Sequence, residues 1–368
     1  MLKVRGSIGY TGSQNFSPYQ AMTTFKFFSD KTYDNIAGAY LMGLANKDLQ
    51  WQQTRDINAG VDIQLFKGLT VRFDWYVSNT DDMLVDFTLP TSTGFSSFKE
   101  NLGELENKGY DATINWQVYR NPKTQSFVSI YGSIAHNTNK LKKISDALKK
   151  YNEDQDNETE NLTSPLTRYE EGQSTSAIWG VRSLGIDPIN GKEIFLTKDG
   201  KTTYTWNAAD QVVIGESTPK YRGNIGINSE YKGIGLNVSL SYRWGGDYYN
   251  QTLVSRVENV NIANNVDRRV FEGTWQNPGD HTAYKKITST PTTTRPTSRF
   301  VEKYNELSLA SVNLYYDFKF LNLKKYKLER LKLAFYMNDV CQISTVKTEK
   351  GLSYPFARSF SFSLQATF

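Results

Sequence analysis

Residues 234–244, IGLNVSLSYRW, decide the fold class of this chain. Apolar or aromatic side chains occupy every second position from Ile234 to Trp244, and the positions between them hold Gly, Asn, Ser and Arg. A period of two places successive side chains on opposite faces of a β-strand, so the segment predicts a strand with one apolar and one polar face. A tight turn, YKG, separates it from the preceding strand, YRGNIGINSE, and the two together predict a hairpin.

The same alternation recurs along the whole chain. Further alternating runs lie at residues 57–65, 69–77, 110–118, 310–318, 331–337 and 360–368. We expect no helix longer than one or two turns, although the stretch 139–161, which changes from basic to acidic, could hold a short one. The pattern therefore predicts an all-β protein with about a dozen strands.

The composition limits the class of protein. The 368 residues include 14% aromatic side chains, and the mean hydropathy is −0.55. No run approaches the ~20 apolar residues of a membrane-spanning helix, which excludes a helical membrane protein and leaves a membrane barrel open. The 43 basic and 38 acidic residues are mixed, so no basic stripe indicates nucleic-acid binding.

The connections between the strands are of two kinds. FKG at 66–68 and YKG at 231–233 are very short, whereas 139–175 and 247–299 are long and polar. Short turns on one rim and long loops on the other are typical of an outer-membrane barrel, although a soluble β-sandwich also alternates. Aromatic residues near the strand ends favour the barrel, because they fit an interfacial girdle. They are Trp51, Trp75, Tyr76, Trp116, Tyr242, Trp244, Tyr315 and Tyr316.

The sequence contains no motif that predicts an enzyme. P-loop, GxSxG, HExxH and CxxC patterns do not occur. The adjacent carboxylates Asp81 and Asp82 would point to opposite faces of a strand, which does not suit acid–base catalysis. Cys341 is the single cysteine, so no intrachain disulfide can form, and two histidines cannot make a histidine-rich metal site. We therefore expect no enzyme activity and no cofactor.

Two kinds of binding site remain as hypotheses in the loops. Exposed rings could stack on sugars, although packing within a loop or anchoring at a rim is the more frequent reason for such residues. The candidates are Tyr169, Trp206, Tyr248, Tyr249 and Trp275, with Trp179 and Tyr204 in the same regions. The acidic stretch 152–161 could hold Ca²⁺, but it lacks the spacing and glycine of an EF-hand loop.

Several strings in the chain resemble one family, the SusC/RagA-type TonB-dependent outer-membrane transporters. The resemblance is collinear over the whole chain, which is more specific than any single motif. Two departures from the family pattern are Lys47, where proline is usual, and Gln52, where glutamate is usual. The strings are VRGSIGYTGSQNFSPYQ (4–20), NKDLQWQQTRDINAGVDIQLFKGLTVRFDWYVSNTDDML (46–84), TGFSSFKENLGELENKGYDATIN (93–115), GVRSLGIDPINGKEIFLTKDG (180–200), IGESTPKYRGNIGINSEYKGIGLNVSLSYRWGGDYYN (214–250), FEGTWQNPGDHTAYKK (271–286) and YPFARSFSFSLQATF (354–368).

The resemblance implies a fold and a place in a larger protein. Residues 1–368 would form the C-terminal part of a 22-stranded plugged barrel, whose plug, TonB box and signal peptide are expected elsewhere. The final strand would carry the signal for outer-membrane assembly at Phe360, Phe362, Leu364 and Phe368.

The resemblance also implies a function in the outer membrane of a Gram-negative bacterium. This would be import of oligosaccharides or peptides, with a SusD-like surface lipoprotein as partner and the TonB–ExbB–ExbD complex acting indirectly. A self-contained passive porin and a soluble β-rich carbohydrate-binding domain are the alternatives.

Overall fold

The fold is described from a computed structural model. The described residues are all of 1–368 except 15–21, 67, 89–93, 96, 102, 158–161, 289–292, 322, 324–326, 351–354 and 356. Within them the chain forms eighteen strands and a few short helical segments. Strands dominate, which confirms the predicted all-β class.

Ten strands pair side by side into one antiparallel sheet, the wall sheet. Each wall strand pairs with the wall strands before and after it in the chain, so the spatial order follows the sequence. In that order they are β1 (Leu2–Ser13), β4 (Gln52–Leu65), β5 (Leu69–Asp81), β8 (Gly103–Asn121), β9 (Ser126–Ile144), β14 (Tyr221–Tyr231), β15 (Ile234–Tyr249), β16 (Val301–Asp317), β17 (Arg330–Ser344) and β18 (Phe360–Thr367).

The connections separate onto two rims of the wall sheet. The short rim holds the turns at 66–68, 122–125 and 232–233 and the connection 318–329. The long rim holds 14–51, 82–102, 145–220, 250–300 and 345–359. At 232–233 both residues have positive φ, 49° for Lys232 and 88° for Gly233, as a two-residue hairpin turn requires. This confirms the two classes of connection read from the sequence.

The register between wall strands keeps apolar side chains on one face, the apolar face. Ile63 is opposite Val71, and Val71 is opposite Ile114. Leu236 is likewise opposite Leu314, and Leu314 is opposite Phe335. These pairs place aliphatic and aromatic groups in contact across strands, which is the interaction that stabilises a sheet. The other side, the polar face, carries residues such as Asp62, Arg72 and Asn237.

A β-bulge corrects one detail of the predicted alternation. The register of β15 against β16 shifts so that Leu240 pairs with Leu309 and Ser239 with Ser311. Ala310 is the extra residue, and the apolar face of β16 continues through Leu307 and Leu309 instead of Ala310. One unpaired residue reverses the alternation, because the side-chain period of a strand is two.

An aromatic row crosses the apolar face toward the long rim. Trp75 is opposite Tyr110, Tyr110 is opposite His136, and Tyr221 is opposite Trp244. The rings of His136 and Tyr221 lie 5.2 Å apart between centroids and join the two pairs. Of the aromatic residues predicted for a girdle, Trp75 and Trp244 lie in this row. Trp116 and Tyr316 are on the apolar face next to the short rim, whereas Tyr76 and Tyr315 point to the polar face.

The remaining elements belong to the long-rim connections and form the loop layer. They are the hairpins β2–β3 (Phe25–Tyr33 and Ile36–Leu41) and β6–β7 (Leu84–Thr88 and Ser97–Asn101), the strands β10 (Ala177–Ile186), β11 (Glu193–Leu196), β12 (Thr202–Thr203) and β13 (Gln211–Glu216), the helices α1 (Asp146–Asn157), α2 (Gln251–Leu253) and α3 (Arg269–Gly273), and single helical turns at Ala208–Asp210, Val254–Glu258 and Ser298–Phe300. Helix α1 lies in the stretch where a short helix was expected, but its 12 residues make about three turns.

The loop layer has an apolar core of its own. Phe300, Val181, Val254, Val257 and Val270 are buried, with Phe300 only 1% exposed. The four strands β12, β11, β10 and β13 form a small sheet over this core. None of the helices in the described part of the chain has the length and apolar character needed to cross a bilayer.

Candidate functional site

The polar face of the wall sheet joins neighbouring strands by ion pairs. Arg5 Nη2 lies 2.9 Å from Asp62 Oδ1 and 2.8 Å from Asp74 Oδ1. Arg72 Nε lies 3.0 Å from the same Asp62 oxygen. Two arginines and two aspartates from β1, β4 and β5 thus neutralise one another. Such a face is suited to water or to another polar surface, because charges are costly in hydrocarbon.

A second charged group lies on the polar face near the short rim. The Tyr315 hydroxyl donates to Glu230 Oε2 at 2.7 Å, and Lys319 Nζ lies 2.6 Å from Glu230 Oε1. Arg330 Nη2 lies 2.6 Å from Asp317 Oδ2. The pairing is local, so these groups hold the ends of β14, β16 and β17 together and offer little free charge to a ligand.

A buried arginine links three parts of the loop layer. Arg299 donates to both carboxylate oxygens of Glu258 and, at 2.8 Å, to Glu193 Oε2. It also donates to the Ala283 carbonyl at 2.7 Å. The side chains of Arg299, Glu193 and Glu258 are 10%, 6% and 0% exposed. Burial opposes the charge of Arg299, but the two carboxylates outweigh it and raise its pKa. The network therefore fixes β11 against the segment 250–300.

An aspartate organises the turn between β10 and β11. Asp187 accepts hydrogen bonds from the Tyr204 hydroxyl at 2.5 Å, the Ile189 amide at 2.8 Å and Asn190 Nδ2 at 2.7 Å. These bonds, the one from Tyr204 above all, lower the pKa of the Asp187 carboxyl. The three donors to the Asp187 carboxylate all belong to this turn or to the nearby segment at Tyr204. Asp187 therefore stabilises the loop conformation and is not free to bind a ligand.

An ion-pair clamp joins two different long-rim connections. Arg269 Nη2 lies 2.8 Å from Asp267 Oδ2 and 2.8 Å from Glu349 Oε1. Hydrogen bonds from the side chain and amide of Arg269 lower the pKa of Asp267 to about 2. The clamp thus connects the loop before β16 to the loop before β18.

The two tryptophans among the predicted ring-stacking residues have structural partners. Trp206 Nε1 donates to the Pro296 carbonyl at 3.1 Å, and the Arg295 guanidinium lies 5.1 Å from its ring centre. Trp275 Nε1 donates to the Pro188 carbonyl at 2.9 Å. Its ring also covers Gly191, where an added Cβ would lie 2.6 Å from the indole. Both rings are partly exposed, so each still has an edge that a ligand could reach.

The three tyrosines lie in two other places. Tyr169 packs against Leu148 and its neighbours beside α1, and burial raises its pKa. Tyr248 and Tyr249 end β15 at the long rim. The Tyr248 ring lies 5.6 Å from that of Tyr304, and the Tyr249 hydroxyl donates to the Thr163 carbonyl at 3.3 Å. The five candidates are spread over the loop layer and the long-rim end of β15, and their role in ligand binding stays a prediction.

The terminal strand presents Phe360, Phe362 and Leu364 on the apolar face, and Phe368 follows the strand directly. Phe360, Phe362, Leu364 and Phe368 are 63%, 70%, 69% and 85% exposed. Phe362 pairs with Phe335, and their rings lie 5.3 Å apart. These contacts are all within the wall sheet and do not test recognition by another protein, so the assembly role stays a prediction.

The calcium hypothesis at 152–161 falls partly outside the described residues, which omit 158–161. In the described part, Asn152 Nδ2 donates to the Tyr169 carbonyl at 2.7 Å and Asp156 Oδ1 lies 2.5 Å from Arg168 Nη1. Two of the candidate ligand side chains are thus engaged in other bonds. Among described residues, no group of three or more His, Cys, Asp or Glu side chains is placed to hold a metal ion. Calcium binding stays a prediction.

Sequence reasoning missed the buried network of Arg299, Glu193 and Glu258. The residues are 41 and 106 positions apart along the chain, and each stands in a stretch of ordinary polar composition. The one available signal was Phe300 beside Arg299, a large apolar residue at the end of a long polar loop. The distances between loops come only from the folded chain.

The known proteins that resemble this chain in sequence share one description, TonB-dependent receptor. No model of a known protein family matches the chain. TonB-dependent receptor P39 of Formosa agariphila is 26% identical over 92% of this chain and 36% of its own length. TonB-dependent receptor SusC of Bacteroides thetaiotaomicron is 31% identical over 31% of this chain and 12% of its own length. These proteins are named as receptors and not as enzymes, in agreement with the expectation from the motifs.

A solved structure shares the fold. The RagAB peptide importer in its open-open state superposes with a TM-score of 0.74 at 20% identity, over 100% of this chain and 40% of that chain. The chain therefore spans less than half the length of the relatives it matches. The similarity covers nearly all of this chain, and the two-faced sheet with its short and long rims is that of a barrel wall. This chain is therefore similar in sequence to the SusC-like TonB-dependent receptors, and its fold is that of part of an all-β barrel.

Proposed function

We propose that the chain forms the C-terminal wall and surface loops of an outer-membrane importer that takes up oligosaccharides or peptides with energy from TonB. The observation that carries this proposal is the wall sheet, whose apolar face is exposed and whose polar face is charged. The named relatives supply the transport class, since they are TonB-dependent receptors.

The dimensions of the apolar face support a position in a membrane. The apolar positions of β15 run from Ile234 to Trp244, which is ten residue steps or ~34 Å of strand at ~3.4 Å per residue. A strand tilted by ~40° then spans ~26 Å along the membrane normal, close to the ~25 Å apolar band of outer-membrane barrels. Trp244 is 61% exposed at one end of this span and Tyr231 is 60% exposed at the other, where interfacial aromatic residues belong.

Closure of the sheet requires further strands. In the described residues β1 pairs only with β4 and β18 only with β17, so two edges of the wall sheet are open. Each unsatisfied backbone group in hydrocarbon costs several kcal/mol, which an open edge cannot sustain. We therefore propose that other strands of a longer receptor polypeptide, together with a plug, complete the barrel around the polar face.

The loop layer gives the proposed protein its surface for partners. Its own core and the Arg299 network keep the long connections in fixed positions at one rim. The related structure is of RagAB, a peptide importer, and by analogy we propose a SusD-like lipoprotein that covers the long rim and delivers the ligand. The TonB–ExbB–ExbD complex would act through the plug and not through this chain.

The test uses the full-length receptor expressed in its own bacterium. We expect it in the outer-membrane fraction, extracted only by detergent, with heat-dependent gel mobility and a co-purifying lipoprotein. Uptake of its glycan or peptide should stop when TonB is depleted. Ion conductance and uptake without TonB would support the passive porin instead. Purification in buffer without detergent would support the soluble carbohydrate-binding domain.

A further inference from the structure

One transverse row of the polar face carries charges on neighbouring strands at the same register. Starting at β1, Arg5 is opposite Gly60, Gly60 is opposite Asp74, and Asp74 is opposite Asp111. The row continues through Ala135 on β9 to Arg222 on β14. It therefore crosses six adjacent strands, which no reading of the separate segments could show.

The second half of the row places two arginines side by side. Arg222 is opposite Arg243, and Arg243 is opposite Glu306 on β16. Like charges directly opposite each other destabilise a sheet unless something neutralises them. The row contains two such pairs, Asp74 with Asp111 and Arg222 with Arg243, and they lie two strands apart.

Only one member of each like-charged pair has a partner. Asp74 is held by Arg5 at 2.8 Å. Arg243 Nε lies 3.9 Å from Glu306 Oε2, and its guanidinium lies 4.9 Å from the centre of the Tyr304 ring. The side chains of Arg222 and Asp111, in contrast, make no hydrogen bond or ion pair with any residue in the described part of the chain.

A groove lies over the unpaired members of the row. It has a volume of about 610 Å³ and is lined by Asp111, Arg222, Arg243 and Glu306 and by the hydroxyl and amide groups of Thr113, Ser133, Asn224 and Ser241. Arg222 stands at the start of β14, so the arginine end of the groove lies next to the long rim. Neighbouring strands are ~4.8 Å apart, which puts the Asp111 backbone ~10 Å from that of Arg222.

We propose that Arg222 and Arg243 form a site for an anionic group, a carboxylate, sulfate or phosphate, on the polar face. Two guanidinium groups from adjacent strands supply several N–H donors in a planar geometry that matches such oxyanions. The site rests on the proposed function in that the polar face must line the inside of a barrel. The anion comes either from a free ligand in the passage or from an acidic side chain of the same receptor.

Asp111 limits how much negative charge the site accepts. Its carboxylate lies at the other end of the groove and repels a second anionic group on the same ligand. A singly charged ligand can place its anion at Arg222 and its neutral part over Ser133 and Thr113. The site should therefore prefer a ligand with one anionic group to a ligand with two separate anionic groups, and removal of the Asp111 charge should relax this preference.

The test measures how fast phenylglyoxal modifies individual arginines in the full-length receptor in detergent, by mass spectrometry of peptides. Arg268 is the internal reference, because its side chain is 87% exposed in the loop layer. Probes are inorganic sulfate, digalacturonate and the uncharged disaccharide lactose, with sodium chloride at matched ionic strength. Slower modification of Arg222 with sulfate or digalacturonate, but not with lactose or chloride, supports a free anionic ligand.

The other outcomes are also decisive. Slow modification of Arg222 without any probe, relieved by 1 M sodium chloride, supports an acidic group of the same receptor. If Arg222 is modified slowly and salt does not change the rate, the side chain is simply buried, and the proposal is overturned. Modification at the Arg268 rate under all conditions also overturns it. Neither result bears on membrane insertion, so failure of the site and failure of the proposed importer remain distinguishable.

Two variants sharpen the measurement. In the Arg243→Gln variant, the sulfate concentration needed to protect Arg222 should rise about tenfold, since one set of charge-assisted hydrogen bonds is lost. Asp111→Asn should strengthen protection by digalacturonate more than by sulfate. Asn115→Gln, on the same face but outside the groove and without a change in charge, serves as the control and should leave both values unchanged. Equal effects of all three variants would contradict the assignment.

Discussion

The wall sheet and the loop layer solve the problem of apolar burial in opposite ways. On the apolar face of the wall sheet, Phe362 is 70% exposed and Trp244 is 61% exposed. In the loop layer Phe300 is 1% exposed and lies beside a buried ion pair between Arg299 and Glu258. The same chain thus exposes large apolar side chains in the wall sheet and buries charged side chains in the loop layer. The proposed function accounts for the difference by placing the wall in lipid and the loops in water.

The largest expected effect comes from the loop layer. Arg299→Met should destabilise that layer by ~3–5 kcal/mol, because it leaves the carboxylates of Glu258 and Glu193 buried without their partner. Hydrogen exchange of segment 250–300, read by mass spectrometry, measures the loss. Arg268→Met is the matched control, since its ion pair with Glu272 is on the surface and should contribute below ~0.5 kcal/mol. Equal hydrogen-exchange protection of segment 250–300 in both variants would show that the buried ion pair of Arg299 does not stabilise the loop layer.

The next effect tests which face of the wall meets lipid. Val238→Arg should cost ~2–4 kcal/mol, as charged residues do near the middle of the apolar band. Asn237→Arg, one residue away on the polar face, should cost much less. Urea unfolding of the receptor in lipid vesicles, followed by heat-dependent gel mobility, compares the two. A larger loss in the Asn237 variant would reverse the faces proposed here.

A smaller effect concerns a close contact on the polar face. Gly235 lies under the Tyr315 ring, where an added Cβ would be 1.9 Å from a ring carbon. Gly235→Ala must displace the ring and loosen its hydrogen bond to Glu230, so we expect a loss of ~1–3 kcal/mol. Gly9→Ala is the control, because no atom lies within 4 Å of its added Cβ. The same unfolding assay applies, and a neutral Gly235 variant would show that the ring moves freely.

The smallest effect is a pH dependence confined to the loop layer. The pKa of Asp267 is lowered to about 2, so its ion pair with Arg269 contributes stability above the ordinary pKa of about 4 that is lost as the pH falls toward 2. The groups are partly exposed, and screening limits the gain to a few tenths of a kcal/mol. Proteolysis of the 250–300 connection between pH 5 and pH 3 should accelerate in the native receptor, and Asp267→Asn should accelerate it already at pH 5. The hydrogen-exchange protection factors of β15, which correct for the intrinsic dependence of exchange on pH, should not change over this range.

Much of the wall could be predicted because strand alternation is a local property. Residues 234–244 and 57–65 showed their two faces directly, and YKG at 231–233 showed the hairpin that the structure contains. About a dozen strands were expected, and the described residues form ten wall strands and eight shorter strands of the loop layer, such as Ala177–Ile186, which the alternation did not reveal. Ala310 could not be placed, since a bulge depends on how β16 meets its neighbours.

The candidate functional residues were harder to predict, because their contacts depend on distant partners. Trp206 and Trp275 were proposed from their residue type, yet their indole hydrogen bonds go to Pro296 and Pro188, far away in the chain. Arg222 and Arg243 were ordinary polar-face positions in the sequence. Their adjacency appears only when β14 and β15 are paired in register.

The sequence by itself determined the class, the two faces and the two rims, since each follows from residues within one strand or turn. The tertiary structure alone decided the charged row, the Arg299 network and the bulge at Ala310. These depend on the register between strands and on contacts between residues up to 106 positions apart, as for Arg299 with Glu193. Local alternation fixes which way a side chain points, but only pairing decides what it meets.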